Sequence, residues 1–465
     1  MDYKIRTKIK QIVVEDKIPL DSDVIILGLT RTCRKSKNVA FIEISDGSCM
    51  PTIQAVVGEP DKFPVLDKIL TGASVRVKGR LIASQGQGQK YEIAVEELDL
   101  IGETGSDYPL QKKRHTNEFL REIAHIRPRT NTFGAINRVR SRLAYAIHKY
   151  YQDKGFLYIH TPIITASDCE GAGDLFRVTT LNMDNLPKKD SKIDWGSDFF
   201  SAEAFLTVSG QLEGELMATA LGDIYTFGPT FRAENSHTAR HASEFWMIEP
   251  EMAWAELDDD MDLAEDFLKY MFKFALNDCA SDMEFFNTWV DKQLIETLEG
   301  CIKNEFERVS YTEAIKLLEK SGEKFEYPVK WGTDLQTEHE RFLTEKTFKK
   351  PVIVYDYPLE FKAFYMRVND DWKTVRAMDV LVPRVGEIIG GSQREERLDV
   401  LKKHLTMKGI TDFEPFDWYF DIRKWGTMPH AGFGLGFDRA VMYITGVANI
   451  RDVQPFPRVP NWAKF

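Results

Sequence analysis

The sequence predicts an α+β protein in which a small β-barrel precedes a larger domain built from an antiparallel sheet flanked by helices. Short runs that alternate apolar and polar residues fill the first 101 positions, which is typical of β-strands. Beyond position 118, segments with helical spacing are interrupted by a long run that is typical of an antiparallel hairpin. At 465 residues, the chain is long enough for two or three domains with sizeable cores.

Five strands are predicted in the N-terminal domain, residues 1–101. They lie at positions 24–29, 39–44, 53–57, 74–81 and 91–100. Turn residues separate the strands, for example Asp46-Gly47 and the run rich in glutamine and glycine at 85–89. Five strands in such a short segment suit an OB-fold, which is a small Greek-key barrel that binds oligonucleotides.

The first predicted hairpin of this barrel carries basic residues next to an aromatic ring. The basic residues are Arg31, Arg34, Lys35 and Lys37, and Phe41 opens the next strand. Single-stranded nucleic acid is bound through positive charge, which meets its phosphates, and through ring faces on which its bases stack. Composition alone nevertheless favours a solvated hairpin with Phe41 in the barrel core.

A linker rich in glycine, proline and polar side chains, residues 102–118, marks the predicted domain boundary. Its basic cluster at 112–115 either touches a nucleic acid or is simply solvated. The remaining residues, 119–465, form the second predicted domain. Within it, residues 258–350 carry amphipathic helices and no recognisable chemistry, so no catalytic role is predicted for them.

The overall composition is that of an ordinary globular protein. Hydrophobic residues make up 43% of the chain and charged residues 29%. The five cysteines are scattered and form no CxxC pair, which argues against a disulfide framework and a thiolate zinc site and suits a reducing compartment. The sequence shows no signal-like or membrane-spanning apolar stretch, so a cytoplasmic protein without membrane contacts is expected.

The net charge of −11 is unevenly distributed along the chain. Residues 1–100 hold 15 Lys and Arg against 14 Asp and Glu, a net of +1, so the remaining residues carry −12. The acidic excess therefore lies in the larger domain, where carboxylates can serve Mg²⁺. An acidic protein can still bind a polyanion through a local basic face, although its net charge does not predict this.

The run from 225 to 254 consists of two alternating stretches joined by a polar loop at 235–243, which predicts a long antiparallel hairpin. Arg232 and Glu234 precede this loop, and Phe245 follows it. An arginine suits phosphate recognition, and a phenylalanine offers a ring on which a purine stacks. Taken alone, the Arg–Glu pair is equally consistent with an ordinary surface ion pair.

Two further segments carry residues suited to nucleotide chemistry. Predicted strands at 375–382 and 387–389 bring Asp379 near Glu387, and two glycines follow directly. Paired carboxylates beside a tight glycine turn suit Mg²⁺ held through few protein oxygens and nucleotide phosphates. Residues 430–439 are rich in glycine and end at Arg439, and small residues permit close approach of the backbone to a nucleotide.

Together these segments resemble the sequence motifs of the class II aminoacyl-tRNA synthetases, in the subgroup that charges Asp, Asn and Lys. The helical run at 131–154, the strand at 156–159 and Pro162 resemble motif 1, the hairpin resembles motif 2, and residues 430–439 resemble motif 3. The resemblance covers nearly the whole chain. It implies an anticodon-binding OB-fold at 1–101, a class II catalytic domain at 119–465 with an insertion at about 258–350, and a homodimer formed through motif 1.

The resemblance also implies a two-step aminoacylation that uses ATP and Mg²⁺. It assigns Arg232 and Arg439 as catalytic residues that hold the α- and γ-phosphates, and it assigns Phe245 to stack on adenine. The implied ATP-binding residues are Arg232, Glu234, His241, Phe245, Glu387, Gly436 and Arg439. The implied Mg²⁺ ligands are Asp379 and Glu387.

The resemblance assigns two further sets of residues. Those implied to bind the amino acid are Glu170, Gln211, Glu249 and Arg394. Those implied to bind the tRNA anticodon are Arg31, Phe41 and Gln54. Family members that charge aspartate carry a lysine where this chain has Gly214. The expected reaction is therefore ligation of L-asparagine to tRNA(Asn), with no role for DNA.

Three alternatives remain at this point. The first is an aspartate-charging enzyme of relaxed specificity, and the second is a tRNA-independent relative that amidates aspartate. The third is a non-catalytic OB-fold RNA-binding regulator on a synthetase scaffold. The amidating relatives lack an anticodon-binding barrel, which this chain is predicted to have. A pure binding protein has no need of Arg232, Glu387 and Arg439 together.

Overall fold

The computed structural model describes residues 3–166, 175–236 and 238–465. The chain packs as two compact units. The first comprises Met1–Ser141, Cys279–Trp289 and Phe465, and the second comprises Arg142–Asp278 and Val290–Lys464. Within the described ranges, no helix combines the length and apolar character that a bilayer crossing demands.

The five strands predicted near the N-terminus all form, and they close into a barrel. They are β1 (Asp23–Lys35), β2 (Ala40–Ser45), β3 (Ile53–Val57), β4 (Ser74–Ala83) and β5 (Tyr91–Gly102). The order around the barrel is β1-β2-β3-β5-β4, with β3 and β5 parallel and the other pairs antiparallel. Alternate residues such as Ile42 and Val77 fill the interior, and a short helix, α1 (Ile9–Val13), packs Ile9 and Ile12 against the same core.

The second unit contains an eight-stranded sheet and two smaller ones. Their strands are β6 (Leu157–Tyr158), β7 (Ile164–Thr165), β8 (Arg177–Val178), β9 (Lys188–Lys189), β10 (Lys192–Ile193), β11 (Ala204–Leu206), β12 (Ile224–Phe231), β13 (Glu244–Ala253), β14 (Glu307–Ser310), β15 (Val352–Pro358), β16 (Thr374–Val382), β17 (Gly386–Gln393) and β18 (His430–Gly436). The large sheet has the order β14-β15-β16-β17-β18-β13-β12-β6. Its six central strands are antiparallel, and the pair at each end is parallel. The predicted hairpin is the pair β12–β13.

Twelve further α-helices lie within the described residues. They are α2 (Asn117–Glu122), α3 (Asn131–Asp153), α4 (Gln211–Leu221), α5 (Leu257–Asp278), α6 (Ala280–Trp289), α7 (Leu294–Lys303), α8 (Tyr311–Lys320), α9 (Thr337–Phe342), α10 (Leu398–Met407), α11 (Asp417–Lys424), α12 (Phe437–Thr445) and α13 (Ile450–Val453). Five of the twelve begin between 257 and 337, in agreement with the helices predicted at 258–350. The strand β14 in that segment was not predicted.

The two faces of the large sheet differ at its centre. Helix α5 packs on one face through a stripe of buried apolar residues that includes Phe267 and Met271. Acidic residues crowd its first turn, where they meet the positive end of the helix dipole. A side chain at Gly391 would collide with Phe433 and with Asp260 of this helix, so Gly391 allows close packing on this face. The opposite face carries most of the predicted site residues.

Candidate active site

Glycines of β17 and β18 line the centre of the open face, and carboxylates flank them. Across the strands, Glu251 lies beside Gly432, and Asp379 lies beside Gly390. A Cβ at Gly432 would lie 2.2 Å from the Pro250 carbonyl oxygen and 2.3 Å from Glu251 Oε2, so only glycine fits there. Backbone atoms therefore form the centre of the open face, with carboxylates on both sides. A flat ligand can approach this backbone closely.

The predicted phosphate residues surround the turn of the hairpin. Arg232 follows β12 directly, and its Cζ lies 5.5 Å from the ring centroid of Phe245 at the start of β13. Arg439 lies in the first turn of α12, just after Gly436, and its Nη1 donates to the Glu387 carbonyl oxygen at 3.2 Å. Burial lowers the pKa of His241, and the positive charges of Arg439, Arg232 and Arg240 lower it further, against the opposite effect of Glu234. The site thus concentrates positive charge, as anion binding requires.

The predicted metal residues lie in a strongly acidic pocket. Lys362 Nζ donates to both oxygens of Asp379, at 3.1 and 2.8 Å. Burial raises the pKa of Glu387, and Asp379 raises it further, against the opposing charges of Arg439 and Lys362. Among the described residues, no three His, Cys, Asp or Glu side chains are placed to hold a metal by themselves. Asp379 and Glu387 both lie next to Gly390, and such a pair of carboxylates suits Mg²⁺, which commonly takes few protein oxygens.

Glu340 of α9 joins this pocket from the segment for which no catalytic role was predicted. Its Oε2 accepts the backbone N–H of Glu387 at 3.2 Å. Burial and the negative charge of Glu387 raise the pKa of Glu340 to about 8. The pocket therefore holds more carboxyl groups than its cations can keep ionised, and residues 258–350 contribute to the site. Spacing in the sequence gave no signal for Glu340 or Lys362, because each acquires its partners only through the fold.

A buried ion pair lies at the predicted amino-acid end of the face. Arg394 binds Glu251 through Nε at 3.0 Å and through Nη2 at 2.8 Å, and its Nη1 donates to Ser392 Oγ at 2.7 Å. Burial alone would lower the pKa of Arg394, but the adjacent Glu251 carboxylate raises it overall. Arg394 thus lies where it was predicted, already paired with a carboxylate.

Gln211 and Glu249, which were also predicted to bind the amino acid, lie beside this ion pair. Gln211 begins α4, and its Nε2 donates to Glu215 Oε1 at 3.1 Å and to Glu251 Oε2 at 3.2 Å. Glu249 accepts from the hydroxyls of Ser209 and Thr226, the latter at 2.9 Å. Gly214 is buried on α4, and a Cβ there would lie 3.8 Å from Ile224. The remaining predicted residue, Glu170, lies outside the described residues.

On the barrel, the three predicted anticodon residues have different surroundings. Ala40 and Ile42 point into the core, so Phe41 between them lies on the outer face, where Arg34 Cζ is 5.9 Å from its ring centroid. Gln54 is also on the outer face, and its Nε2 donates to Glu92 Oε1 at 3.0 Å. The prediction from composition, that Phe41 lies in the barrel core, is therefore wrong.

Arg31 is already engaged within its own unit. Its guanidinium donates to the Arg129 carbonyl oxygen and, at 2.6 Å, to Asn131 Oδ1 at the start of α3. A guanidinium used in this way is less available to a nucleic acid than Arg34, whose Cζ lies 5.9 Å from the ring centroid of Phe41. Of the three predicted anticodon residues, Phe41 and Gln54 therefore lie on one surface of the barrel. Arg31 instead forms hydrogen bonds within its own unit.

Comparison with known proteins agrees with this arrangement. Residues 116–460 match a family described as tRNA synthetases class II (D, K and N), and residues 24–101 match the OB-fold nucleic acid binding domain. The asparagine–tRNA ligase of Nostoc sp. is 58% identical over 449 residues, 96% of this chain and 97% of the relative. The enzyme of the same name from Clostridium tetani is 55% identical over 462 residues, 99% of this chain and 100% of the relative.

A solved structure is similar to this chain over nearly its whole length. The crystal structure of asparaginyl-tRNA synthetase from Pyrococcus horikoshii, complexed with asparaginyl-adenylate, superposes with a TM-score of 0.85 at 32% identity, covering 98% of both chains. The open glycine face, its acidic borders and the arginines at the hairpin turn thus belong to a scaffold shared over its whole length. The chain belongs to the asparagine–tRNA ligase family of class II aminoacyl-tRNA synthetases.

Proposed function

We propose that this chain ligates L-asparagine to tRNA(Asn) at the expense of ATP. Full-length identity of 55–58% to enzymes named asparagine–tRNA ligase is the observation that carries the proposal. Pyrophosphate exchange into ATP that depends on asparagine, followed by charging of tRNA(Asn), tests it. A non-catalytic RNA-binding protein would give no pyrophosphate exchange. If a folded sample showed no exchange, the proposal would be overturned.

In the first step, a carboxylate oxygen of asparagine attacks the α-phosphorus of ATP. A bond forms between that oxygen and phosphorus, the bond to the bridging oxygen breaks, and pyrophosphate leaves. The protein contributes position and charge rather than a covalent intermediate. In the proposal, Arg232 holds the α-phosphate, Arg439 the γ-phosphate and Phe245 the adenine. The convergence of positive charge around His241 supports this assignment.

Asp379 and Glu387 are the residues that hold Mg²⁺ in this proposal. When bound there, Mg²⁺ would supply positive charge that offsets the charge of the phosphates. The chain's own Lys362 neutralises one of these carboxylates, and burial together with the charge of Glu387 raises the pKa of Glu340 to about 8, which keeps it largely protonated near neutral pH. These contacts support a site that is short of positive charge and accepts a divalent cation together with the nucleotide.

In the second step, a terminal hydroxyl of the tRNA attacks the carbonyl carbon of the adenylate. An ester forms, and AMP leaves with the phosphate oxygen. The outer face of the barrel is proposed to select the tRNA by its anticodon, with Phe41 stacking on one base and Gln54 reading another. The outward position of both side chains supports this role.

Phe41→Ala and Gln54→Ala are each expected to raise the KM for tRNA while asparagine-dependent exchange without tRNA stays within about twofold. Base stacking is worth about 1–3 kcal/mol, so Phe41→Ala should lose roughly 5- to 150-fold in charging efficiency. Gln54→Ala should lose a hydrogen bond worth about 0.5–1.5 kcal/mol, which is roughly 2- to 13-fold. Charging and exchange assays on the same preparations measure the two effects. Glu59→Ala, which removes an exposed ion pair with Lys62 elsewhere on the barrel, is the control. Equal losses in both assays would make the barrel's role structural.

The enzyme is proposed to work as a homodimer through the segment that resembles motif 1. Leu157 and Tyr158 in its strand leave more than 40% of their surfaces exposed, as does Ile164 two residues beyond Pro162. In a two-fold interface the same patch meets its own copy, so one substitution acts twice. The exposed apolar surface supports burial in such a contact.

Leu157→Glu is therefore expected to shift the protein from dimer to monomer at micromolar concentration, because two like charges would be buried together. Sedimentation velocity measures the change. Met407→Glu, at another exposed apolar side chain, should leave the dimer intact. A wild-type protein that sediments as a monomer with full activity would contradict the proposal.

We also propose that the protein acts in the cytoplasm. Its cysteines support a reducing compartment, since Cys33, Cys49 and Cys301 are all free thiols. Burial raises the pKa of the Cys49 thiol to about 11, which keeps it protonated and unreactive near neutral pH.

A further inference from the structure

Glu215 is a fully buried carboxylate at the second turn of α4 that no sequence motif indicated. Its Oε2 accepts hydrogen bonds from Tyr419 Oη at 2.7 Å and from Arg423 Nη2 at 2.6 Å, and it lies 3.0 Å from His430 Nε2. Burial raises the pKa of Glu215, but the charges of Arg423, His430 and Arg394 outweigh it and hold that pKa well below its usual range. An ionised carboxylate can only accept hydrogen bonds.

This property decides the orientation of the neighbouring Gln211 amide. One terminal atom of that amide lies 3.1 Å from Glu215 and 3.2 Å from Glu251. Because the Glu215 and Glu251 carboxylates both offer acceptors, this atom must be the NH₂ group and not the carbonyl oxygen. The carbonyl oxygen, Oε1, has no hydrogen-bond partner among the residues that the structure describes, so it is the acceptor left for a ligand.

We propose that Glu215 is a positioning residue, which fixes the Gln211 amide so that its carbonyl oxygen accepts from the α-ammonium group of asparagine. The inference rests on the proposed function and deepens it. Tyr419 and Arg423 of α11 hold Glu215 through its other oxygen, so they set the amide without touching the substrate. A merely structural ion pair between α4 and α11 would use the same contacts, and the experiment must separate the two roles.

Glu215→Gln is the decisive variant. The new carbonyl oxygen keeps the hydrogen bonds from Tyr419 and Arg423, so the new NH₂ group faces Gln211. Two NH₂ groups cannot bond to each other, so the Gln211 amide loses one of its two acceptors and is held by Glu251 alone. The KM for asparagine in pyrophosphate exchange should then rise at least about 10-fold, since the carbonyl oxygen of Gln211 is no longer firmly fixed toward the ammonium group. The kcat should stay within about threefold, because the phosphate residues are unchanged.

Succinamic acid, which is asparagine without its α-ammonium group, separates the two roles. A positioning role affects only the binding of ligands that carry the ammonium group, whereas a structural role affects both ligands. Its inhibition constant against asparagine should be the same for wild type and Glu215→Gln, because the contact that is lost does not exist for this ligand. Glu215→Asp is measured alongside, since it keeps a charge for Arg423 and withdraws it from Gln211. Tyr150→Phe, which removes a hydroxyl that donates to Asp266 and has no contact with Glu215 or Gln211, is the matched control and should change KM by less than about threefold.

The possible outcomes are distinct. A raised KM with an unchanged succinamic acid constant, in either Glu215 variant, supports the inference. An unchanged KM in a folded variant, or equal losses for asparagine and succinamic acid, overturns it in favour of a structural ion pair. Wild-type enzyme without asparagine-dependent exchange would instead refute the proposed function itself.

Discussion

Replacing either Arg232 or Arg439 with alanine is expected to slow adenylate formation at least about 100-fold, which is the scale for losing a preorganised charge donor. The two arginines approach the open face from different elements, the end of β12 and the start of α12. Each therefore supplies charge that the other cannot replace. The chemical step itself depends on stabilising the charge on the oxygens of a five-coordinate phosphorus in the transition state, so the loss should appear mainly in kcat.

Pyrophosphate exchange at saturating asparagine measures this loss. Arg308→Ala is the matched control, because that arginine forms a partly exposed ion pair with Asp262, of a kind worth about 0–1 kcal/mol. Lysine at position 232 should recover only part of the activity, since it carries the charge without the paired donors of a guanidinium. Near-normal exchange in a folded alanine variant would refute the assignment of that arginine.

Asparagine should be preferred to aspartate by more than about 1000-fold, which corresponds to roughly 4 kcal/mol. An aspartate side chain would bring a second carboxylate beside Glu249, and Arg394, the cation predicted to bind the amino acid, is already paired with Glu251. No lysine is available at position 214, where a buried glycine packs near Ile224. A carboxylate without a partner in this pocket is expensive, whereas an amide offers donors to Glu249.

Local patterns were sufficient to predict much of the fold. The barrel strands and the hairpin β12–β13 follow from period-two alternation and from turn residues such as Asp46-Gly47, which act over a few residues. The prediction was least accurate at the end of β1, which was expected to stop at 29 and continues to Lys35. Its last residues are basic and carry no apolar alternation, yet they pair with β2 beyond a bulge.

The candidate site was only partly predictable, because its buried charges find partners far along the chain. Glu215 meets Arg423 from more than 200 positions away, and Lys362 meets Asp379 only because the loop before β16 folds back. Glu340 looks like an ordinary residue of an exposed helix until the fold places it behind Glu387. Spacing within a segment carries no information on such pairings, whereas Arg232 and Phe245 share one hairpin and were foreseen together.

The most direct test of the account is the ratio of kcat/KM for asparagine and aspartate in pyrophosphate exchange, measured on one enzyme preparation with amino acids freed of cross-contamination. The arrangement of Glu249, Glu251 and Arg394 predicts a ratio above about 1000 in favour of asparagine. Comparable exchange with aspartate would contradict the proposed specificity, although the phosphate site and the fold would stand.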